Sequence, residues 1–440
     1  MINMNFMKFN ISNKEFYSRH NKELEKYLIG EKSLHLLNIK SKRKIKKNNS
    51  KIIYLDLESD YLSVLNEIKE KYSTIVITDI VELTQDLYLV FKKIDEKLLP
   101  NGKLVISSLN TKWGMFIKFL EFLNIKDKNQ KYSYIHVKKI QNITNSLGLE
   151  FIKSNTRQFI PFKIFGIGNL LNSFLEIIFS NFNFGIKTYF VFRKKLKKKS
   201  QLSRCILIPA KNEEGNLMPL FERIPNKEIT QFIFSIGKSK DKTLEKANEI
   251  KNLNPSLKIK VFEQSKTGKA NAVWESFEYV NADLVAILDA DISVEPETMD
   301  DFFEILENNN SDFVNGTRLV YEMERDAMRY INKKGNILFQ FIVSFIIGKK
   351  LTDSLCGTKV FKKEFMEKVI WWQEKYKLKD PFGDFDLIFT ASITGEKIAE
   401  YPVHYKSRIY GSTQIKRFRD GFKLIIYLLR SFLIFNSSKY

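Results

Sequence analysis

Two aspartates separated by a single alanine stand at the end of an apolar run at 282–291, with the sequence ADLVAILDAD. On an extended strand end alternate residues face the same way, so the carboxylates of Asp289 and Asp291 can converge on one hard cation. A cation held there neutralises a diphosphate and stabilises the negative charge on a departing nucleoside diphosphate. The pair therefore predicts a Mg²⁺ or Mn²⁺ site, and its position after a buried-type strand distinguishes it from the many such pairs that arise by chance.

Polar residues also follow two further apolar runs, at 205–209 (CILIP) and 231–236 (QFIFSI). The carboxyl ends of strands are where α/β sheets bind ligands, so both runs are expected to present side chains to one site. The candidate ligand-contacting residues at these two ends are Pro209, Ala210, Asn212, Glu214 and Asp241. The ordinary alternative is a strand-to-helix turn in which Asp241 and Thr243 serve as helix caps.

The segment GKANA at 268–272 places Lys269 directly after a glycine. The phosphate-binding loop of ATPases needs another glycine five residues earlier and a Ser or Thr after the lysine. Glu263 and Ala270 occupy those two positions in this chain. An ATPase function is therefore not predicted.

Three later segments carry further residues suited to binding or catalysis: NGTR at 315–318, GDFDL at 383–387 and YPVHYKSRIYGS at 401–412. The residues of interest in and just after them are Arg318, Asp384, Asp386, Arg408 and Thr413. Arginine suits bidentate contact with phosphate, so the group around Arg408 could clamp a donor diphosphate or a lipid phosphate. A solvated basic face is the alternative for that group.

The segments IPAKNEEGNL, GKANA, LDAD and FGDFDL follow one another in this order through the second half of the chain. In this order they resemble glycosyltransferase family 2, which has the GT-A fold, and especially members similar to polyprenyl-phosphate sugar synthases. The resemblance implies that Asp289 and Asp291 serve the ribose and the metal, and that Lys269 contacts donor phosphate or orients the base. It also implies that the catalytic residues are Asp384, as the general base, and Asp386, as its helix or supporting partner. The remaining nucleotide-sugar contacts that we expect are Pro209, Ala210, Asn212, Glu214, Asp241, Arg318, Arg408 and Thr413.

The first half shows short β-branched runs at 51–57, 74–79 and 102–107 that alternate with helical patterns, which predicts a parallel α/β sheet. The stretch at 77–113 resembles the later strands of class I methyltransferases that use S-adenosylmethionine. In that family an early strand carries a glycine-rich turn, but the corresponding segment here, 33–39 (SLHLLNI), contains no glycine. We therefore expect a degenerate methyltransferase-like domain that does not use S-adenosylmethionine.

The length of 440 residues suits two domains. The basic run RKKLKKKS, which starts at Arg193, is typical of a solvated linker because adjacent like charges repel each other. The predicted fold class is α/β with two domains, an N-terminal Rossmann-like sheet of methyltransferase type and a C-terminal GT-A sheet. The predicted boundaries are 1–192 for the first domain, 193–201 for the linker, 202–420 for the GT-A domain and 421–440 for an amphipathic carboxyl-terminal segment.

The formal net charge of +21 favours a polyanionic partner, and because no nucleic-acid-binding module is recognisable, nucleic acid is not expected. Only Cys205 and Cys356 are present, which points to a reducing compartment. No apolar run is long enough to cross a bilayer. The segments at 337–347 and 424–435 either lie in the plane of an anionic membrane surface or form ordinary buried helices. We therefore predict a cytoplasmic protein that is peripheral on the inner face of the cell membrane.

These features together predict an inverting, metal-dependent transferase that moves a sugar from a nucleotide-diphosphate donor to a polyprenyl-phosphate or glycan acceptor. An ionised lipid phosphate needs no general base, whereas an acceptor hydroxyl does. The effect of replacing Asp384 therefore distinguishes the two acceptors. Two alternatives remain, a bifunctional methyltransferase and glycosyltransferase and a catalytically inactive membrane-bound scaffold. The family usually offers an acidic residue to the donor nucleobase at the end of the second strand, where this chain has Ser235 and Ile236. The identity of the nucleobase is therefore left open.

Overall fold

The computed structural model divides the chain into two compact units. Unit 1 comprises Met1–Leu196 together with Phe432–Tyr440, and unit 2 comprises Lys197–Ser431. The residues that the structure describes are 13–27, 32–38, 50–55, 61–78, 86–114, 122, 140–141, 143–144, 147–160, 168–179, 184–194, 202–308, 311–320, 330–408, 410–411 and 417–436. Each unit contains a β-sheet of its own.

Unit 1 is an α/β unit with a six-stranded sheet. Its strands are β1 (Ser33–Asn38), β2 (Ser50–Leu55), β3 (Tyr72–Thr78), β4 (Leu98–Leu109), β5 (Leu149–Arg157) and β6 (Lys187–Lys194). Its helices in the described residues are α1 (Asn13–Glu25), α2 (Tyr61–Glu67), α3 (Leu87–Lys97) and α4 (Gly168–Phe179). The spatial order is β2-β1-β3-β4-β6-β5, and the first four strands run parallel. Because β6 is antiparallel to both β4 and β5, the sheet is mixed rather than parallel as expected.

Both faces of the central strands are buried, which explains why β3 reads as a nearly continuous apolar run. Ile75 and Ile77 point into a core that α2 and α3 cover. Val76, between them, points to the opposite face, where Leu24 and Tyr27 pack against it. The alternation of a strand thus places successive residues of β3 in two different clusters.

The residues Pro100, Asn101 and Gly102, whose types are typical of a turn, lie inside β4. The register between β3 and β4 shifts at this point, and Asn101 has a φ of 60°. A Cβ at Gly102 would lie 2.7 Å from the Leu99 carbonyl oxygen, so glycine is required. The turn residues therefore form a bulge within the strand rather than its boundary.

The predicted linker at 193–201 is wrong at its amino-terminal end, because Arg193 and Lys194 belong to β6. Arg193 is buried, and its Nη2 lies 2.8 Å from Glu150 Oε2 on the neighbouring strand. Lys194 Nζ lies 3.1 Å from Asp95 Oδ2 on α3. Carboxylates from two other elements thus compensate the charges that we expected water to solvate.

Unit 2 is also an α/β unit, with a seven-stranded mixed sheet. Its strands are β7 (Arg204–Ala210), β8 (Thr230–Ile236), β9 (Lys258–Glu263), β10 (Leu284–Ile287), β11 (Phe313–Thr317), β12 (Lys359–Lys362) and β13 (Ile398–Pro402). Its helices are α5 (Glu214–Arg223), α6 (Thr243–Leu253), α7 (Lys269–Ser276), α8 (Met299–Glu307), α9 (Tyr330–Ile347), α10 (Phe365–Tyr376), α11 (Asp384–Ile393) and α12 (Arg417–Asn436).

The seven strands of unit 2 are ordered β13-β11-β12-β10-β7-β8-β9. β10, β7, β8 and β9 are parallel neighbours, whereas β12 is antiparallel to both β10 and β11. Apolar side chains from β7, β8 and β10 pack against α5, α6 and α8 in one core cluster. Ile206, Phe232 and Phe302 are completely or almost completely buried in that cluster. This core fixes the strand ends that carry the candidate functional residues.

The carboxyl-terminal segment expected at 421–440 is not separate in the structure. Helix α12 begins at Arg417, and the last residues of the chain, Phe432–Tyr440, belong to unit 1. In the described part of the chain, no helix combines the length and the apolar composition that a membrane span requires. Both cysteines are buried and unbridged.

Candidate functional site

The functional residues predicted from the sequence lie mainly at the carboxyl edge of the parallel strands of unit 2. Strand β10 ends at Ile287, and Asp289 and Asp291 lie in the loop and turn that follow. Ile292, directly after them, has a φ of 54°. The expectation that an extended strand end aligns the two carboxylates is therefore wrong, because a tight turn positions each of them separately.

Asp289 forms an ion pair with Lys269, the first residue of α7. Lys269 Nζ lies 2.6 Å from Asp289 Oδ1. Burial opposes ionisation of Asp289, but the ammonium outweighs it, and the pKa of Asp289 lies below its usual value. Burial likewise opposes the charge on Lys269, yet the nearby carboxylates, with Asp289 the largest contributor, raise its pKa. Both partners are therefore charged at neutral pH.

Gly357 brings a backbone segment directly against this ion pair. A Cβ at position 357 would overlap both the carboxylate of Asp289 and the ammonium of Lys269. Only glycine permits so close an approach. The loop that follows Asp353 therefore forms one wall of the site.

Asp291 faces a different basic residue, Arg408. Arg408 Nη2 lies 2.6 Å from Asp291 Oδ2, while Oδ1 accepts hydrogen bonds from Ser293 N (3.1 Å) and Ser293 Oγ (2.7 Å). A β-bridge between Val294 and Tyr405 holds the two chain segments together. The fold thus pairs Asp291, in the turn after β10, with a basic residue more than one hundred positions later in the chain.

A third ion pair joins Asp384, the first residue of α11, to Lys359 on β12. Lys359 is completely buried, and its Nζ lies 2.8 Å from Asp384 Oδ1 while also donating to the Cys356 carbonyl oxygen. Asp384 contributes to the raised pKa of Lys269, and Lys359 helps to lower the pKa of Asp289. The ion pairs are therefore close enough to form one network of alternating charges.

The residues expected to line a nucleoside pocket connect the loops after β7 and β8. Asn212 Oδ1 accepts from Lys240 N (2.7 Å), and Glu214 Oε2 accepts from Lys242 N (3.1 Å). Asp241 Oδ2 accepts from Glu214 N (3.2 Å). A backbone hydrogen bond from Gly237 N to the Ala210 carbonyl oxygen (2.8 Å) also joins the two loops. Pro209 and Ala210 end β7 at the same edge. These residues thus hold two loops together beside the ion pairs.

Two expected site residues in the described part of the chain make their contacts outside this network. Arg318 is committed to Asp353, with Nε and Nη2 at 2.7 and 3.0 Å from its two carboxylate oxygens. Asp386 is buried and accepts from the side chains of Trp372, Gln373 and Tyr427, so it joins α11 to α10 and α12. Its inclusion among the catalytic residues is therefore unsupported, although its expected place as a helix partner fits these contacts. Thr413 lies outside the described residues.

Glu213 is a candidate functional residue that the sequence analysis missed in favour of its neighbour Glu214. It is only 8% exposed and accepts a hydrogen bond from Asn216 Nδ2 at 2.5 Å. Burial raises the pKa of Glu213 to about 7, with a further contribution from the charge on Asp291. The doublet Glu-Glu contains no signal that distinguishes the buried Glu213 from the half-buried Glu214.

The donor set of the site fits a hard divalent cation only in part. Among the described residues there is no group of three His, Cys, Asp or Glu side chains placed to hold a metal. However, Mg²⁺ is commonly bound by one or two carboxylates, with substrate phosphates and water completing its coordination. Asp289 and Asp291 are a ligand set of that kind, since both are close enough to influence Lys269.

Comparison with known proteins assigns this region to a family. The family model described as glycosyl transferase family 2 matches residues 205–370. Unit 2 contains a family 2 glycosyltransferase domain. The matched part of this glycosyltransferase includes Lys269, Asp289, Asp291 and Lys359, and Asp384 and Arg408 follow it.

Two curated relatives resemble the glycosyltransferase domain. A dolichyl-phosphate hexose transferase of Haloferax volcanii is 26% identical over 220 residues, which cover 49% of this chain and 88% of the relative. A dolichol-phosphate mannosyltransferase of Pyrococcus furiosus is 29% identical over 220 residues, which cover 48% of this chain but only 58% of the relative. Among solved structures, glucosyl-3-phosphoglycerate synthase from Mycobacterium tuberculosis with bound UDP aligns at a TM-score of 0.40 and 16% identity, over 53% of this chain and 82% of that one.

The raised pKa of Glu213 predicts a pH dependence of stability. Between about pH 4 and pH 7 the unfolded chain ionises this carboxyl while the folded protein keeps it protonated, so stability falls as pH rises through that window. The Glu213→Gln variant cannot ionise there, and the thermal unfolding midpoint of unit 2, followed by tryptophan fluorescence, should fall less than in the wild type. Glu214→Gln is the matched control and should follow the wild type. Identical pH profiles for Glu213→Gln and the wild type would contradict the assignment.

Proposed function

We propose that this protein is an inverting, metal-dependent glycosyltransferase of GT-A type that transfers a sugar from a nucleotide-diphosphate donor to a polyprenyl-phosphate acceptor. The observation that carries the proposal is the network of ion pairs at the carboxyl edge of the sheet. It combines carboxylates suited to a divalent cation with basic groups suited to phosphate. The family assignment of residues 205–370 supports the same reaction class.

The donor diphosphate is the ligand that best explains why the acidic and basic side chains are paired. Lys269 and Arg408 can exchange their carboxylate partners for phosphate oxygens, which releases Asp289 and Asp291 to bind Mg²⁺ or Mn²⁺. Once bound, such an ion stabilises the negative charge of the leaving nucleoside diphosphate. Glu213 adds a carboxylate next to Asp291 and is a further candidate for donor or metal contact.

The loops after β7 and β8 are the proposed nucleoside side of the donor site. Asn212, Glu214 and Asp241 fix the two loops to each other, so that Pro209 and Ala210 present backbone to the ligand. These loops lie at the carboxyl ends of adjacent parallel strands, where open α/β sheets bind nucleotides. Their role is therefore to preorganise the pocket.

The Lys359–Asp384 pair favours a phosphate acceptor over a hydroxyl acceptor. A general base must be free to contact the acceptor hydroxyl, whereas Asp384 Oδ1 already accepts a hydrogen bond from the buried Lys359 Nζ at 2.8 Å. A phosphate monoester is already ionised near neutral pH and needs no base. The names of two relatives, a dolichyl-phosphate hexose transferase and a dolichol-phosphate mannosyltransferase, agree with a lipid-phosphate acceptor. Because the GDFDL motif contains Asp384, the candidate general base, a glycan hydroxyl is the second candidate acceptor.

Exposed apolar faces on two helices support action at an anionic membrane surface. On α9, Leu338 and Phe341 are 58% and 68% exposed and lie three residues apart, on one helix face. On α12 the exposed apolar residues recur with the same helical spacing, and they are Phe422, Ile425, Ile426 and Leu429. Exposed basic residues lie beside both faces, Lys333, Lys334 and Lys350 near the first and Arg419, Lys423 and Arg430 near the second. This arrangement suits helices that lie in the headgroup region with a cytoplasmic protein above them.

The first experiment tests metal-dependent transfer from a panel of nucleotide sugars to polyprenyl phosphate in anionic vesicles. We expect one donor to be used in the presence of Mn²⁺ or Mg²⁺, and Asp291→Ala to lower kcat by about 100-fold or more because leaving-group stabilisation is lost. Glu278→Ala removes an exposed carboxylate and is the control, expected to retain activity. Equal activity of Asp291→Ala and the wild type would refute the metal assignment, and failure with every donor would support an inactive scaffold.

The second experiment separates the two acceptors through Asp384→Asn. If the acceptor is a lipid phosphate, the variant should retain transfer to within about 10-fold, because removing a true general base typically costs about 100-fold or more. The assay measures kcat with polyprenyl phosphate at saturating donor, on protein whose unfolding temperature matches the wild type. A loss beyond 100-fold, together with wild-type transfer to a glycan hydroxyl, would reverse the acceptor assignment.

The third experiment tests the membrane surface. The double variant Leu338→Ser/Phe341→Ser should partition to anionic vesicles at least about 10-fold more weakly in flotation assays, because each buried side chain contributes more than 1 kcal/mol. Ile229→Ser/Leu253→Ser replaces two exposed apolar residues outside both faces and should bind vesicles like the wild type. Equal vesicle binding by both double variants would mean that α9 does not contact the membrane.

A further inference from the structure

A buried group of charges lies at the carboxyl edge of the sheet of unit 1, outside the site described above. Glu23 Oε2 lies 3.0 Å from Lys26 Nζ and 3.1 Å from Arg157 Nε, and each of these three residues is at most 3% exposed. Burial opposes ionisation of Glu23, but Arg157 and Lys26 outweigh it and lower its pKa to about 2. Glu23 is thus a fixed negative charge that orients two cations.

A second buried carboxylate lies close to this group. Glu176 on α4 accepts from Arg19 Nη1 at 3.2 Å and from the backbone N of Gln158 at 3.1 Å. Arg157, the last residue of β5, is paired directly in the sheet with Lys187, the first residue of β6. Lys26 and Arg157 both contact Glu23, and their remaining N–H groups can donate to further acceptors.

The partner in the structure is the carboxyl end of α12. Lys26 Nζ donates to the Ile434 carbonyl oxygen at 3.1 Å, and Arg157 Nη2 donates to the Phe435 carbonyl oxygen. The last four carbonyls of a helix lack intrahelical donors and carry about half a negative charge in sum. Ile434, Phe435 and Asn436 are all buried. Lys26 and Arg157 thus contact the end of a helix that carries partial negative charge.

We propose that unit 1 is a receptor for the carboxyl end of the chain's own last helix, and that Lys26 and Arg157, held by Glu23, form the binding site for the terminal helix carbonyls. This role is independent of the transfer reaction. It gives the methyltransferase-like unit a function that requires no S-adenosylmethionine, in keeping with a first strand, β1, that contains no glycine. The occupant is the segment that ends at Asn436.

Hydrogen exchange on the full chain tests the contact directly. In Lys26→Met/Arg157→Met the amides of residues 428–436 should exchange at least tenfold faster than in the wild type, because the helix end loses its cationic partners. Lys69→Met/Lys71→Met removes two exposed lysines from the same unit and should leave that exchange unchanged. Unchanged protection of the helix end in a folded Lys26→Met/Arg157→Met protein would overturn the proposal, since apolar packing alone would then hold it.

Single variants of the full chain cover the case in which that double variant fails to fold. Lys26→Met removes one of the two cationic contacts, and the amides of residues 428–436 should then exchange at least about threefold faster than in the wild type. Lys26→Arg keeps a cation at this position and should restore most of the protection. Equal exchange in Lys26→Met and the wild type, or equally fast exchange in Lys26→Met and Lys26→Arg, would overturn the proposal.

Discussion

Carboxylates can remain ionised together at one buried sheet edge only if basic side chains face them, because uncompensated charge is expensive to remove from water. Unit 2 satisfies this condition for Asp289, Asp291 and Asp384. Their partners come from three different elements, and they are Lys269, Arg408 and Lys359. The basic side chains that compensate these carboxylates are also the groups that a diphosphate would contact, and the carboxylates are those that a cation would contact. Stability and the proposed function therefore depend on the same side chains.

The backbone around these ion pairs is arranged so that charged groups can approach it closely. Gly268 precedes α7 with a φ of 108°, and Gly383 precedes α11 with a φ of 85°. Each of these glycines therefore turns the chain so that a charged residue begins a helix, Lys269 in one case and Asp384 in the other. Gly357 then lets the facing loop lie against the first pair. Two of these glycines thus supply a backbone conformation, and the third supplies space, for the charged groups of the site.

Unit 1 meets the same constraint in a different way. Two of its buried basic residues, Lys26 and Arg157, contact backbone carbonyls at a helix end in addition to the Glu23 carboxylate. Arg193, which we expected in a solvated linker, is compensated in the ordinary way by Glu150. In both cases a charged residue is buried because a partner distant in sequence is supplied by the fold.

The sequence by itself determined the α/β class, the strands that end at the site and the motifs of a family 2 glycosyltransferase, because these depend on local periodicity and on residue order. It also indicated Asp289, Asp291 and Arg408 as residues of interest. Only the tertiary structure decided that Glu213 rather than Glu214 is buried, and that Lys359 holds Asp384. The physical reason is that burial and ion pairing depend on which distant segments meet, and a charged residue has the same appearance in sequence whether or not it finds a partner.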